Sequence, residues 1–211
     1  MKNWKYILLS VILFPLVGMV SSCSEETEPE SEFANWKEKN EAFINKLAAD
    51  SSIKQILTYT KNPGQVGLTN SDYIYVDVIE SGVGPEKALF TDSIYYTYRG
   101  RLLPSKSYAN GYVFEETFLG DFDWATAGMK KACVGWNTVT TSSGTVTSLW
   151  TDGFCTALQN MKMGDHWMVY IPYQLAYGES ASSSIPAYST LIFEIAIADV
   201  WHPGDSHPAF K

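Results

Sequence analysis

The sequence is poor in the residues that most enzymes use for covalent or metal-assisted chemistry. Its 211 residues include only 3 His and 3 Cys. His166, His202 and His207 lack the i, i+4 spacing and the clustered carboxylates of common metal sites, so we predict no metal ion and no other cofactor. The segment Gly178 to Ser182 lacks the second glycine of a nucleophile elbow, which argues against a serine hydrolase. The sequence also has no glycine-rich phosphate loop.

Positive charge is scarce as well. The chain has 15 Lys and Arg against 23 Asp and Glu, a formal net charge of −8, and it contains no run of basic residues. Such a chain repels a phosphate backbone, so we predict no nucleic-acid partner. Aromatic residues are abundant, with 7 Trp, 13 Tyr and 10 Phe. They supply enough apolar surface for one soluble globular domain with appendages.

Long hydrophobic runs are absent except at the N-terminus. Lys2 and Lys5 precede an apolar stretch of about 15 residues, Tyr6 to Val20, which is shorter than the ~20 residues that span a bilayer as a helix. We therefore interpret residues 1–22 as a secretory signal peptide. The sequence Val20-Ser21-Ser22-Cys23 resembles a bacterial lipobox, and this resemblance implies that Cys23 is lipidated and becomes the mature N-terminus. The alternative is an incidental cysteine.

Residues 23–32 are acidic and predict a solvated tether, either a plain linker or a segment resembling the export signal of some surface lipoproteins. Because no polybasic patch follows, we expect membrane attachment to depend on the acyl chains, each buried CH₂ contributing ~0.8 kcal/mol. We expect a lipid-anchored protein of the cell envelope, at the outer membrane, on its periplasmic face or at the cell surface.

Residues 33–62 form an N-terminal helical segment by their apolar spacing. Phe33, Trp36, Phe43 and their successors up to Leu57 recur near helical intervals, which predicts one helix followed by a shorter one. We expect this segment to pack onto the main domain; a dimer contact is the alternative, and a monomer is favoured. Residues 201–211 are expected to form a polar tail in which His202 and His207 are exposed.

Residues 72–200 have the pattern of an α+β domain with an antiparallel sheet and one short helix. The helix is predicted from Asp152, as N-cap, to Gly164, as the left-handed residue after its end. Residues 116–149 are predicted to be a long insertion with some strand content. The predicted strands have β-branched and aromatic residues in common: Tyr73 to Ile79, Ile94 to Gly100, Tyr112 to Phe114, Trp167 to Ile171, and Thr190 to Val200.

Cys133 and Cys155 remain once Cys23 is assigned to the lipid. Two thiols in an exported protein can form a disulfide, or they can be two separately buried small apolar side chains. The sequence leaves both alternatives open, because a disulfide depends on a Cα separation that it does not reveal.

Five segments in the second part of the chain follow one another in an order that resembles the FKBP-type peptidyl-prolyl cis-trans isomerases, over roughly residues 72 to 200. The resemblance implies a half-open antiparallel sheet wrapped around one short helix. It also implies proline-containing polypeptides as partners. The five segments are Tyr95 to Leu102, Val113 to Glu116, Gly153 to Gly164, Ile171 to Gly178, and Ile185 to Ile195.

The resemblance further implies the residues of an apolar pocket for the prolyl ring. Several departures stand out: Glu115 replaces the usual Asp, Phe154 replaces the usual Trp, the loop from Gly178 to Ile185 is short, and the second wall Phe has no recognisable counterpart in residues 116–149. The implied catalytic residues are Tyr98, Phe114, Glu115, Phe154 and Tyr177, and the implied substrate-binding residues are Trp150, Thr151, Ile185 and Phe193.

An apolar site of this kind suits prolyl isomerisation, which breaks no covalent bond and needs neither nucleophile nor metal. We therefore expect an isomerase that acts on exported or surface proteins. A second hypothesis is a non-catalytic binding module on the same scaffold, with the insertion presenting aromatic rings to a peptide or glycan. A third is a lipoprotein whose domain is a spacer. The aromatic residues of the second hypothesis are Phe122, Trp124, Trp136 and Trp150.

Overall fold

A computed structural model describes residues 31–84, 86–142 and 144–206. The predicted signal peptide, the lipidation site Cys23, tether residues 23–30 and His207 lie outside the described residues. Within the described ranges, no helix combines the length and the apolar character that crossing a membrane requires.

The described chain contains two α-helices and nine β-strands. Single 3₁₀ turns occur at Asn70–Asp72 and Tyr173–Leu175. The helices are α1 (Trp36–Ala49) and α2 (Asp152–Leu158), and the strands are β1 (Lys54–Leu57), β2 (Tyr73–Glu80), β3 (Ser93–Arg101), β4 (Val113–Glu116), β5 (Lys130–Cys133), β6 (Trp136–Thr141), β7 (Gly144–Leu149), β8 (His166–Ile171) and β9 (Leu191–Trp201).

Seven of these strands form one antiparallel sheet in the order β1-β2-β8-β9-β3-β4, with β5 also paired to β3. Strands β6 and β7 form a separate two-stranded sheet. The predicted fold class is confirmed: an antiparallel sheet with one short helix, preceded by α1. The long central strands β3 and β9 pair over nearly their whole length, which places β3 and β9 residues next to each other on both faces.

The main sheet has an inner face that packs against α2 and an outer face on its other side. Paired residues share a face, so Tyr98 with Ile195, and Gly100 with Phe193, belong to the inner face. Helix α2 packs tightly there at Gly153, where an added Cβ would lie 2.2 Å from Cγ2 of Ile171. A side chain at this position would therefore push the helix off the sheet.

The outer face is covered in part by residues 117–128, which we call the strap. The guanidinium carbon of Arg99 lies 4.3 Å from the ring centroid of Phe118. The rings of Phe122 and His166 are 4.2 Å apart, and His166 Nε2 lies 3.0 Å from a carboxylate oxygen of Glu194. The strap thus packs over charged and polar side chains of the sheet.

The predicted second helix near the N-terminus is wrong. Residues Lys54–Leu57 form strand β1, paired with Tyr73 to Val76. The two apolar residues Ile56 and Leu57 fit either structure by their spacing alone, and the open edge of β2 offers main-chain partners that an isolated helical turn would lack.

Helix α1 packs onto the main domain, as expected for the N-terminal segment. Trp36 Nε1 donates to Ser189 Oγ over 2.9 Å, and the Thr190 amide donates to Asn40 Oδ1 over 2.7 Å. Just before the helix, the carboxylate of Glu32 accepts hydrogen bonds from Ser105 and Ser107. The last residue of the predicted tether is therefore attached to the domain, and these bonds hold the pKa of its carboxyl below the usual value.

Both predicted ends of the short helix are wrong. Thr151 occupies the N-cap position, and Asp152 is the first helical residue. The helix ends at Leu158, well before Gly164. Gly164 does have the predicted left-handed conformation, with φ of 86°, but its amide donates to the carbonyl of Ile197 in β9. Gly164 therefore forms part of the turn between the helix and β8.

The predicted insertion 116–149 has three parts. The strap covers the outer face, β5 belongs to the main sheet, and residues 136–149 form the β6–β7 hairpin. His202 is exposed, as expected for the tail, and its Nδ1 also lies 2.7 Å from Oδ1 of the buried Asp92. The start of the tail is therefore attached to the domain.

Cys133 and Cys155 are both free thiols, so the disulfide alternative is not formed. Cys133 Sγ lies 3.5 Å from the carbonyl oxygen of Phe90, and Cys155 Sγ lies 3.3 Å from Nε2 of Gln159. Burial raises the pKa of Cys155 to about 11 and also raises that of Cys133. Neither thiol is poised to ionise at neutral pH.

Candidate active site

A cavity of about 450 Å³ opens between α2, the inner face of the sheet and the loop 182–185. The structure brings all nine sequence-predicted site residues to this one cavity. The lining residues are Tyr98, Phe114, Glu115, Ser148, Leu149, Trp150, Thr151, Phe154, Tyr177, Ser182, Ser183, Ser184, Ile185, Leu191 and Phe193.

Four aromatic rings form the inner part of the cavity. The Phe154 ring, from α2, lies 4.9 Å from that of Phe193 in β9 and 6.0 Å from that of Tyr98 in β3. Phe114, from β4, meets Phe193 edge-on at 5.6 Å. Such edge-to-face contacts fix the ring orientations and leave the ring faces available to a ligand.

Gly100 makes this ring arrangement feasible. A Cβ added at Gly100 would lie 2.5 Å from the Phe114 ring and 2.7 Å from the Phe193 ring. Both rings therefore lie directly over the backbone of β3. A larger residue would force them apart and into the cavity.

Trp150 and Thr151 form the wall between the hairpin and α2. The Trp150 indole packs 5.1 Å from the Phe154 ring, and its Nε1 donates to the Cys133 carbonyl. The Trp150 amide is already bonded to the Gly135 carbonyl, at 3.4 Å. None of the described residues accepts a hydrogen bond from the Thr151 amide. Of these two candidate main-chain donors, Thr151 is therefore the one available to a ligand.

A polar rim lies beside the aromatic floor. Lys130 Nζ is 3.4 Å from the Tyr98 hydroxyl and 3.3 Å from a Glu115 carboxylate oxygen, and it lies 5.1 Å from the Tyr98 ring centroid. Burial, assisted by the hydrogen bond to Glu115, raises the pKa of Tyr98 far above its usual value. Burial also raises the pKa of Tyr177. Both phenols stay protonated at neutral pH, and the single proton of the Tyr98 hydroxyl is donated to the Glu115 carboxylate.

The short loop after Tyr177 closes the far side of the cavity. Ser182 and Ile185 exchange main-chain hydrogen bonds of 2.9 Å in both directions, with Ser183 in a left-handed conformation at φ 52°. This tight turn presents Ile185, which is 7% exposed, toward the cavity. Tyr177 is 45% exposed and stands at the mouth.

Sequence reasoning missed Lys130. Its side chain lies against Tyr98, and it belongs to residues 116–149, in which no counterpart of the second wall Phe was recognised. Pairing of β5 with β3 places Lys130 opposite Tyr96. Residues 130–133 do not alternate between polar and apolar side chains, because Lys130 and Lys131 are adjacent and both exposed, so the sequence offered no periodic signal for β5.

The four aromatics proposed as an exposed binding platform do not lie together. Phe122 and Trp124 belong to the strap, where Trp124 Nε1 donates to Glu80. Trp136 packs against Phe90, with ring centroids 5.9 Å apart, and Trp150 lines the cavity. Each is partly buried against its own neighbours, so a shared stacking surface is not formed.

The chemical groups at the site suit binding and hydrogen bonding. Its lining has no cysteine or histidine. Within the described ranges, no three His, Cys, Asp or Glu side chains are grouped to hold a metal ion.

Comparison with known proteins agrees with the family resemblance of the sequence. A sequence model of the FKBP-type peptidyl-prolyl cis-trans isomerases matches residues 84–198. The chain is 29% identical over 168 residues to the FKBP-type peptidyl-prolyl cis-trans isomerase FkpA of Escherichia coli K12, covering 79% of this chain and 53% of that protein. It is 31% identical over 149 residues to the peptidyl-prolyl cis-trans isomerase Mip of Coxiella burnetii, covering 70% and 53%.

The fold is also found among solved structures. A crystal structure of a peptidyl-prolyl cis-trans isomerase from Pseudomonas syringae pv. tomato matches with a TM-score of 0.53 at 20% identity, covering 82% of this chain and 98% of that one. At this identity the likeness concerns the fold alone. The chain spans about half the length of the curated relatives FkpA and Mip.

Proposed function

We propose that this chain, which belongs to the FKBP-type peptidyl-prolyl cis-trans isomerase family, accelerates cis/trans isomerisation of X-Pro bonds in exported polypeptides. The observation that carries the proposal is the single cavity in which aromatic walls, a free main-chain donor and protonated phenols face the same space.

The proposed mechanism needs no covalent intermediate. Rotation about the peptide bond costs ~18–20 kcal/mol because amide resonance is lost in the twisted state. The cavity would hold the prolyl ring against Phe154 and Phe193, which restricts it without supplying charge. The site accelerates rotation to the extent that it binds the twisted form better than either planar form.

Two donors are placed to hold the flanking carbonyl groups of the substrate. The Thr151 amide is available on one wall. The Tyr98 hydroxyl lies on another, where a substrate carbonyl would replace Glu115 as the acceptor of its proton. Twisting breaks the amide resonance, so the lone pair localises on the prolyl nitrogen and the carbonyl oxygen of the rotating bond loses negative charge. Donors fixed on the flanking carbonyl groups would hold the chain beside the rotating bond, and a dry aromatic wall favours the less polar twisted form over the planar forms.

The activity is tested by NMR exchange on a short X-Pro peptide mixed with the chain. We expect faster cis/trans exchange with the wild type and slower exchange with Phe114→Ala or Tyr177→Phe. Tyr108→Phe is the matched control, since Tyr108 is 44% exposed, like Tyr177, and does not line the cavity. No acceleration by a folded wild-type chain would contradict the proposal. Shifted peptide resonances without acceleration would favour the binding-module hypothesis.

We also propose that the mature protein is anchored in the cell envelope through a lipid on Cys23. Support comes from the lipobox-like sequence Val20 to Cys23 and the acidic segment that follows it. In a Gram-negative host we expect the protein in the membrane fraction, with an N-terminal mass that includes acyl chains. Cys23→Ser should leave the protein unlipidated. Lipid-free wild-type protein would contradict the anchor without affecting the isomerase proposal.

A further inference from the structure

The β6–β7 hairpin has an unusual surface for an exposed strand pair. Residues 136–149 contain no charged residue and no proline. All six residues of β7 are exposed, including Val146 at 63% and Leu149 at 72%. Natural proteins usually protect such edges with charges, prolines or bulges, because an open edge pairs with other chains. This edge lacks charge and proline and is suited to pairing.

The hydrogen-bond pattern shows which residues of β7 face outward. The Trp150 amide donates to the Gly135 carbonyl, so these residues form a hydrogen-bonded pair directly beside the pair Trp136–Leu149. Antiparallel pairs alternate between bonded and non-bonded. The main-chain groups of Leu149 and Thr147 therefore point away from β6. Within the described chain, β6 is the only strand that pairs with β7.

This outward edge is continuous with the cavity. Ser148 and Leu149 line the cavity beside Trp150 and Thr151. The base of the hairpin is held by Trp136, which packs against Phe90. With 6 residues, β7 extends about 20 Å from the cavity mouth.

We propose that the outer edge of β7 binds the substrate polypeptide as an added strand while its proline occupies the cavity. The inference rests on the proposed function and specifies its substrate class: extended, unfolded chain segments, in preference to isolated X-Pro turns. The residue before a proline favours the extended conformation, so a chain that enters the cavity is already shaped for strand pairing. Main-chain pairing to an uncharged edge depends little on the amino-acid sequence of the substrate polypeptide.

Proline substitutions on the two strands provide a matched test. Thr147→Pro removes an outward-facing amide from β7. Thr138→Pro does the same on β6, directly opposite in the register, on the edge that does not lead to the cavity. Both substitutions spare the main-chain bonds between the two strands, because Thr138 and Thr147 form a non-bonded pair. Each removes the same side-chain hydrogen bond, between Oγ1 of Thr138 and Oγ1 of Thr147 at 3.2 Å. We therefore expect the two substitutions to change the stability of the hairpin by the same amount.

The measurement is fluorescence anisotropy with a labelled X-Pro peptide, short or extended by about six residues on each side, the length of β7. We expect the extended peptide to bind about tenfold more tightly to the wild type, or ~1.4 kcal/mol, because several cross-strand pairs add to the contacts in the cavity. Thr147→Pro should remove this gain, and Thr138→Pro should keep it. N-methylation of alternate amides in the extensions should also remove it.

Three results would overturn the inference: equal affinity of the wild type for both peptides, equal losses in the two proline variants, or a wild-type dimer that Thr147→Pro dissociates without any effect on peptide binding. The last would assign the edge to a second copy. NMR exchange in the same samples separates the two proposals, because edge-dependent binding without faster exchange contradicts the isomerase activity and leaves the pairing surface in place.

Discussion

The two faces of the main sheet are both covered by aromatic side chains, and in the described part of the chain the rings of the inner face line a cavity. On the outer face, Phe118 and Phe122 of the strap pack directly onto Arg99 and His166. On the inner face, the rings stand edge to face around Gly100, which contributes no side chain. The difference shows that a face is filled when a segment without regular secondary structure packs onto it, and stays open when helices and strands hold the rings apart.

The largest expected effect concerns the filled face. Phe118→Ala removes a ring that is 7% exposed and packs under the Arg99 guanidinium. We expect the free energy of unfolding to fall by about 3 kcal/mol, as for other buried Phe→Ala changes. The isomerase rate of the folded fraction should be unchanged. Urea denaturation and NMR exchange check the two parts, and a specific loss of rate would contradict the separation of the faces.

On the open face, Gly100→Ala should close the cavity. The added Cβ pushes the Phe114 and Phe193 rings from positions 2.5 Å and 2.7 Å away. We expect the specificity constant kcat/KM to fall about tenfold, a loss of ~1.4 kcal/mol in transition-state stabilisation. Gly120→Ala is the control for glycine replacement outside the cavity, although its positive φ of 72° adds backbone strain of its own. Full activity in a folded Gly100→Ala protein would mean that the ring positions do not matter.

A smaller effect is expected from the rim. Tyr98→Phe removes the hydroxyl beside Lys130 and keeps the ring. We expect kcat/KM to fall about fivefold, or ~1 kcal/mol, the contribution of one hydrogen bond. An unchanged rate would mean that the Thr151 amide alone donates the hydrogen bond to the substrate carbonyl. Peptide titrations at fixed pH, with the Tyr108→Phe variant as reference, provide the measurement.

Alkaline pH should destabilise the protein through its buried phenols. Burial raises the pKa of Tyr75 and of Tyr173 to about 12, and it also raises the pKa of Tyr98. Unfolded tyrosines ionise near pH 10, so this contribution to stability is complete below about pH 10 and is lost as the pH rises toward 12. Thermal unfolding measured from about pH 8 to about pH 11.5 tests this loss of stability. A midpoint that stays constant across that range would contradict the burial argument.

The smallest effect concerns His202. The hydrogen bond and charge of Asp92 raise the pKa of this half-exposed imidazole above 6.5. Its contribution is therefore present below pH 6.5 and is lost as the pH rises through the folded-state value. His202→Gln should flatten this part of the stability profile and leave catalysis unchanged. A wild-type profile identical to that of the variant would show that the pair contributes nothing.

The fold class and the composition of the site could be predicted from the sequence. Alternating residues such as Leu191, Phe193 and Ile195 identify a strand with one face buried, because that pattern records a local geometric period. The order of the FKBP-like segments placed Tyr98, Phe114, Phe154 and Tyr177 in one candidate site, and the structure brings them to one cavity. Their catalytic roles remain predictions.

Features that depend on pairing across long sequence distances could not be predicted. Residues Lys54–Leu57 became a strand because β2 had an open edge. Lys130 reached Tyr98 because β5 pairs with β3. Neither outcome is encoded in the spacing of nearby residues.

Apolar side chains, alternating segments and the order of those segments are local properties, and they can be identified from the residues alone. The strap filling one face of the sheet, and the cavity on the other face beside an unprotected edge of β7, follow from the folded arrangement. A cavity and an open edge exist where no other element packs or pairs, so they depend on the positions of all the other elements.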